Sequence, residues 1–380
     1  MTLTPFALPV LVSLLLGVAT GFVMHRSSYC LAGAFRDLFL FRSVRLLRAL
    51  LLLVAATMVL VELARRSGLL PLYPFPGLGA PSLASLAGGV VFGMGMVLAG
   101  GCVVGTLYQA GAGHASAWVA LAGLVAGSGL YAEIFPWCSA FGQRTALFGG
   151  ARTVPQWLGV DPGWVMIPAA LAAAVLLWRQ RRPSLPGSAL WGCLAPWKAS
   201  LLLSLVTAAS LVAVGMPLGV TTTYAKAAGA LESFVAPGHV ASLEYFQTVP
   251  FGYVLPWGGV TLAGGPGPGF DGIALLQLPI IAGVLLGGAL SAVRLGEFPP
   301  RLHLPAAQVV SALAGGLLMA VGSRLASGCN LWHLLGGLPV LALGSLLFTA
   351  GIVAGAWIGA GILVAVVLRP TSSAASADVS

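Results

Sequence analysis

Nine times along this chain, apolar residues run nearly unbroken for about the width of a bilayer: about 6–23, 46–64, 83–99, 116–135, 163–178, 199–218, 273–293, 306–325 and 339–367. Crossing roughly 30 Å of hydrocarbon takes about 17–25 apolar residues, so each run predicts a membrane-spanning helix. Four more stretches, about 28–40, 103–110, 220–230 and 330–336, are too short to cross and too apolar to be wet loops. Short helices at membrane depth are tolerated where they line a protein-walled cavity, and these read as re-entrant. The expected fold is an all-α polytopic membrane protein of about nine transmembrane helices plus about four short re-entrant helices.

The runs also repeat. Sliding residues 88–111 onto 315–338 at a constant offset aligns Gly88 with Gly315, Gly89 with Gly316, Gly95 with Gly322, Leu98 with Leu325, Ala99 with Ala326, Gly101 with Gly328, Cys102 with Cys329 and Leu107 with Leu334. Those eight identities exceed the two or three, on the order of chance, that a Gly-, Ala- and Leu-rich composition yields. Five crossings separate the start of the first copy from the start of the second, and an odd number inverts the second. Residues 1–367 are therefore expected to form one membrane transport domain. Repeat one covers 6–135, a linking span and basic linker cover 136–198, repeat two covers 199–367, and the polar tail 368–380 is expected to be disordered.

Composition agrees with this reading. The chain is 58% hydrophobic and only 7% charged, against roughly 25% charged in soluble domains, so a water-soluble globule is excluded. A net charge of +9 would suggest nucleic acid in a soluble protein. Here the bases fall between spans and follow the positive-inside bias instead. Placing 25–48, 179–198, 294–303 and the C-terminus in the cytoplasm collects twelve of the eighteen Lys and Arg there, which puts the N-terminus outside. No Lys or Arg precedes Arg26, so the first run is expected to be a span and not a cleaved signal peptide. The insert 231–272, rich in Gly, Pro and aromatics, is expected outside, capping an outer vestibule.

Candidate chemistry concentrates on cysteine. Of five, Cys30, Cys102 and Cys329 stand at the mouths of the short pieces; Cys138 and Cys193 do not and are read as packing residues. A helix N-terminus offers unpaired N–H groups and partial positive charge to an anion, and flanking glycines let backbone approach it closely. The expected substrate-binding set is Cys30, Cys102 and Cys329 with their neighbours Gly101, Val103, Gly328 and Asn330. Arg324 and Arg36 are candidates for electrostatic support, Arg36 with Asp37 beside it as an alternative partner. An odd cysteine count and wide spacing disfavour a structural disulfide. A lone CxxxH from Cys329 to His333 is weak grounds for a metal, so no metal, cofactor or catalytic residue is expected. Glu62 stands at helical spacing from Arg65 and Arg66, which a local ion pair explains.

Taken together, "HRSSYCLAGAFRD", "LAGGCVVGTLYQAG" and "LASGCNLWHLLGG" in a nine-span chain resemble the YeeE/YedE family of bacterial sulfur-compound transporters, across residues 6–367. The resemblance implies an inverted-repeat fold with short helices dipping from both faces and a multi-pass place in the bacterial inner membrane. It also implies uptake of thiosulfate, a small sulfur anion passed along by Cys30, Cys102 and Cys329. Some relatives are assigned to selenium or to other sulfur species. A small cytoplasmic sulfur carrier of the TusA type is an implied partner, besides the lipid bilayer. A second reading stays open, in which a membrane enzyme uses the same thiols to relay sulfur covalently as persulfide.

Overall fold

The computed structural model describes residues 6–70, 72–179, 193–256, 259–298 and 304–367. Most of the basic linker and the whole of the tail 368–380 lie outside the described residues. In chain order the helices are α1 (Ala7–Ser27), short α2 (Leu31–Leu40), α3 (Arg45–Arg66), α4 (Leu83–Leu98), short α5 (Val103–Gly111), α6 (Ala115–Arg144), α7 (Val154–Leu158) and α8 (Pro162–Arg179). They continue as α9 (Pro196–Ala213), short α10 (Thr221–Ser233), α11 (Pro237–Ser242), α12 (Glu244–Gln247), α13 (Gly272–Leu295), α14 (Ala306–Leu325) and α15 (Leu343–Ile362). A π-helical piece, Leu331–Gly337, lies between α14 and α15. Among the described residues, nine helical segments are long and apolar enough to cross a membrane, α2 continuing α1 and α5 continuing α4 in two of them. The protein is a multi-pass, all-α membrane protein. Among the described residues the small exception is a hairpin of β1 (Phe251–Val254) and β2 (Thr261–Gly264) in the insert, which the apolar pattern does not announce.

Backbone meets backbone where the long helices cross, and the contacting residues give the directions. Gly88 faces Gly322 and Gly95 faces Gly315, so α4 and α14 are antiparallel. Gly89 faces Phe348 and Gly93 faces Ile352, so α4 runs parallel to α15; Gly123 faces Leu313 and Gly127 faces Leu317, so α6 runs parallel to α14. The helices that align in sequence thus run in opposite senses, and the α4–α15 pair is mirrored by α14–α6. The glycines on α6 and α15 come from "AGLVAG", 122–127, and "AGIVAG", 350–355. This second pair of motifs is displaced by one residue from the first, so a constant offset misses it. Where lipid supplies no hydrophobic drive between helices, small residues that permit such close approach are the main means of association.

Two faces follow from these directions. One carries the ends of α1 and α13 and the start of α9, held together by His25 Nδ1 against Ser291 Oγ at 3.0 Å and by the Leu194 N–H donating to Arg26 O at 2.9 Å. With Arg26, Arg42, Arg45, Lys198 and Arg294 there, we call it the basic face. The short helices α2 and α5 dip from this side, while α10 and the π-helical piece dip from the opposite, insert face. On the insert face Arg65 and Arg66 both bond Glu62, at 2.9 and 2.6 Å, and Arg65 also reaches Asp161. Lys226 of α10 donates to Gly267 O and Gly269 O at 2.9 Å and to Asp271 Oδ2 at 2.6 Å. Asp271 in turn caps α13 by accepting from the N–H groups of Ile273 and Ala274. The insert is thereby fastened to a re-entrant helix and to a span at once.

The crossing of α4 and α14 has no spare room. A Cβ on Gly95 would lie 2.7 Å from both Gly315 O and Met319 N, backbone atoms that move only with their helices. Gly95→Leu is expected to destabilise by about 1–3 kcal/mol or more through overpacking. The check is the thermal midpoint and the monodisperse yield of the detergent-purified variant; an unchanged midpoint would show that the crossing is looser than described.

Candidate functional site

Sequence order and backbone geometry place the first two thiols together. After α4 the chain turns at Gly100, whose φ of +73° suits glycine, and Cys102 then takes the extended N-cap position of α5. The Gly105 N–H donates to its sulfur at 3.3 Å, so the thiol caps its own helix. Cys30 holds the corresponding N-cap position of α2, after a turn at Ser28 with φ of +49°. The Cys30 sulfur faces the Cys102 thiol and the Cys102 backbone N–H. A Cβ on Gly105 would lie 3.2 Å from Cys30 Sγ and 3.4 Å from Cys102 Sγ, so the missing side chain opens the space over which the sulfurs meet. Gly105 is a site residue that sequence reasoning missed; its signal is a glycine one turn past the cysteine in "GCVVG".

The second copy repeats the turn with a different filling. Ser327, aligned with Gly100, has φ of +60°, and Gly328 lies so close to Trp332 that a Cβ there would sit 2.6 Å from its indole. Cys329 is buried and accepts the His333 N–H on its carbonyl at 2.9 Å. The His333 ring fixes this turn from behind. Its Nε2 lies 3.0 Å from Ala326 O and its Nδ1 2.8 Å from Ser345 Oγ, with Phe348 stacked 4.2 Å away. A carbonyl only accepts, so Nε2 carries the proton and Nδ1 accepts from the serine. Both ring nitrogens are committed, and His333 acts as a positioning residue for Cys329 and not as a metal ligand.

Where the copies differ, polar groups are left over. Asn330 stands where the first copy has Val103; it is fully buried, faces the Cys102 sulfur, and neither of its amide atoms has a hydrogen-bond partner. A buried polar group left unpaired costs about 1–3 kcal/mol, so a site of this kind suits a polar ligand. Nearby, Arg324 donates to Thr221 O through Nη2 while its Nε is unpaired, and the buried Tyr224 hydroxyl is unpaired as well. Arg324, Gly328 and Cys329 line a cavity of about 740 Å³ whose wall includes Gln277, Trp332 and residues of the insert such as Thr248 and Phe251. Residues of the insert thus form part of the wall of this cavity. Its lining also includes Cys138, away from any short-helix mouth, but not Asn330, Cys102 or Cys30.

Other expected residues land elsewhere. Arg36 turns onto Asp37 at 2.9 Å on α2, the pairing that sequence allowed, on the other side of the thiols from Arg324. Cys193 is exposed beside the basic face. At the rim, His239 of α11 bonds Glu232 of α10 at 2.6 Å and faces Glu133 of α6 at 3.6 Å.

Among the described residues, nine helical segments able to span a membrane, with short helices set between them, define a multi-pass membrane protein of the broken-helix kind. The chain belongs to the family described as sulphur transport, whose model matches residues 26–358. It is 30% identical over 371 residues to thiosulfate transporter TsuA of Spirochaeta thermophila, covering 92% of this chain and 98% of that one. Over 112 residues it is 40% identical to thiosulfate transporter TsuA of Escherichia coli, covering 30% and 31%, and over 120 residues 32% identical to the probable transporter YedE of Salmonella typhimurium, covering 32% and 29%. The family and these relatives are transporters, not enzymes.

The rim cluster yields a pH dependence with a definite sign. The hydrogen bond to Glu232, then the charge of Glu133, raise the His239 pKa above its usual value of about 6.5. A raised value means that the clamp of α6 to the insert is fully present below about pH 6.5 and is lost as pH rises through the folded pKa. Spin labels at Gln143 and Ser242 should give a narrow distance distribution in mild acid and a broader one in mild base. The same broadening in His239→Gln would show that the clamp does not hold the rim.

Proposed function

We propose that this chain takes up thiosulfate, or a closely related small sulfur anion, across the bacterial inner membrane through a central path. The path runs from the vestibule past Cys329, through the constriction of Asn330, Cys102 and Cys30, and out at the basic face. That face is cytoplasmic on this reading, where a TusA-type sulfur carrier would receive the ion, and the N-terminus and insert lie outside. The observation that carries the proposal is the meeting of two thiols over Gly105, beside an asparagine amide with no partner. Thiols are weak, polarisable donors suited to the terminal sulfur of thiosulfate. The backbone N–H groups of short-helix first turns and Asn330 Nδ2 suit its oxygens. Weak individual contacts serve passage, since a conducting site must also release its ion.

Radiolabelled thiosulfate uptake, in cells lacking their other sulfate and thiosulfate importers, tests this. Cys102→Ala is expected to abolish uptake, Cys102→Ser to retain a small fraction, and Cys30→Ala or Cys329→Ala to reduce it more gradually. Asn330→Ala removes a charge-assisted donor and is expected to lower uptake roughly tenfold or more. Excess sulfate, whose outer atoms are all hard oxygens, should compete poorly. Full uptake by Cys102→Ala defeats the soft-sulfur mechanism, and complete loss in Cys102→Ser with a trapped persulfide assigns the thiols to covalent relay. Orientation has its own check. Cys193 should resist a membrane-impermeant maleimide in spheroplasts and react once the membrane is opened; equal labelling in both reverses the topology.

A further inference from the structure

A second charged corner lies away from the thiols, where α1 and α13 end at the basic face. The guanidinium of Arg26 sits 6.0 Å from the centre of the Phe22 ring and that of Arg294 sits 5.8 Å from it. Two cations thus share one aromatic ring. Among the described residues neither has a carboxylate at ion-pair distance, and Arg26 Nη1 is buried without any hydrogen-bond partner. The acid nearest in sequence, Glu297, follows the C-cap Gly296 of α13 and acts on His25. Two cations against one ring, without a carboxylate partner and with one donor shut off from water, call for an anion.

The surroundings decide which anion. Leu286, Leu290 and Val293 are exposed on α13 at helical spacing below Arg294, so an apolar stripe leads along the span to the arginines. Arginines at the end of a span lie at headgroup depth, and basic pockets between spans on the cytoplasmic side take lipid headgroups. We propose that Arg26, Arg294 and Phe22 form a binding site for the phosphate of an anionic membrane lipid, with an acyl chain along the α13 stripe. A free oxyanion would use the guanidiniums and gain nothing from the stripe. Both arginines lie on the face where the path assigned above opens but are not among the residues assigned to it, and the test below reads lipid binding without reading uptake.

The test is thermal unfolding of the purified full-length protein in detergent, titrated with phosphatidylglycerol, phosphatidylcholine or inorganic phosphate. Phosphatidylglycerol should raise the midpoint at a concentration roughly tenfold lower, or better, in the wild type than in Arg26→Gln/Arg294→Gln. Should the double variant not be recovered folded, Arg294→Gln alone, at an exposed position, should show a smaller shift in the same direction. Equal titrations for wild type and variant overturn the site. An equal response to phosphatidylcholine overturns the requirement for an anion, and an equal response to phosphate overturns the lipid.

Discussion

A backbone N–H at the middle of a bilayer has no water to bond, and every feature of this protein's centre follows from how that shortage is met. Breaking a span into a long and a short helix leaves first-turn donors at depth. Burying them is tolerable only if something accepts. At α5 the acceptor is the Cys102 sulfur, bonded by Gly105 N–H. A thiol is a soft and replaceable acceptor, so the donors it satisfies at rest remain open to an anion that offers more. Serine there would bond more firmly and yield less readily; alanine would leave the donor bare.

The two halves share a scaffold and differ in what it holds. Left-handed turns recur at Gly100 and Ser327, at Gly113 and Leu341, and at Ser28 and Gly215, each just outside a long or a short helix. The N-caps do not recur in the same way. Cys30 heads α2 while Val220, fully buried, heads α10, and Val103 in one half stands at the position that Asn330 holds in the other. Symmetry builds the constriction, and departures from symmetry give it a polar side and a sulfur side. His333 belongs to the second kind: Thr106 stands at its place in the first copy, so only the Cys329 turn has an imidazole behind it.

Much of this was legible in the residues. Spans show themselves by length of apolar run, because hydrocarbon thickness sets one scale, and the start of α14 at Ala306 falls where its run begins. The four short pieces were visible as runs too short to cross, and Cys30 and Cys102 as the caps of two of them. Other features were hidden for identifiable reasons. The run 116–135 understates α6, which continues to Arg144 through Pro136; proline is tolerated inside membrane helices, and polar residues at its end mark an emergence into the vestibule. Gly105 was hidden because a helical glycine says nothing about which neighbour needs its space. The commitment of His333 to Ala326 and Ser345 depends on folding back across twelve residues, and the unpaired state of Asn330 is a property of what surrounds it.

The glycine crossing of α4 and α14 has a mechanical consequence. These helices touch through backbone at Gly88, Gly95, Gly315 and Gly322, four positions with no side chain of their own to change rotamer. A contact made of main chain is stiff in compression yet smooth under rotation, as a pivot is. The long helices are therefore suited to turning as rigid rods about this point. Side-chain rearrangement is left to the short helices, where the sulfurs of Cys30 and Cys102 meet over Gly105.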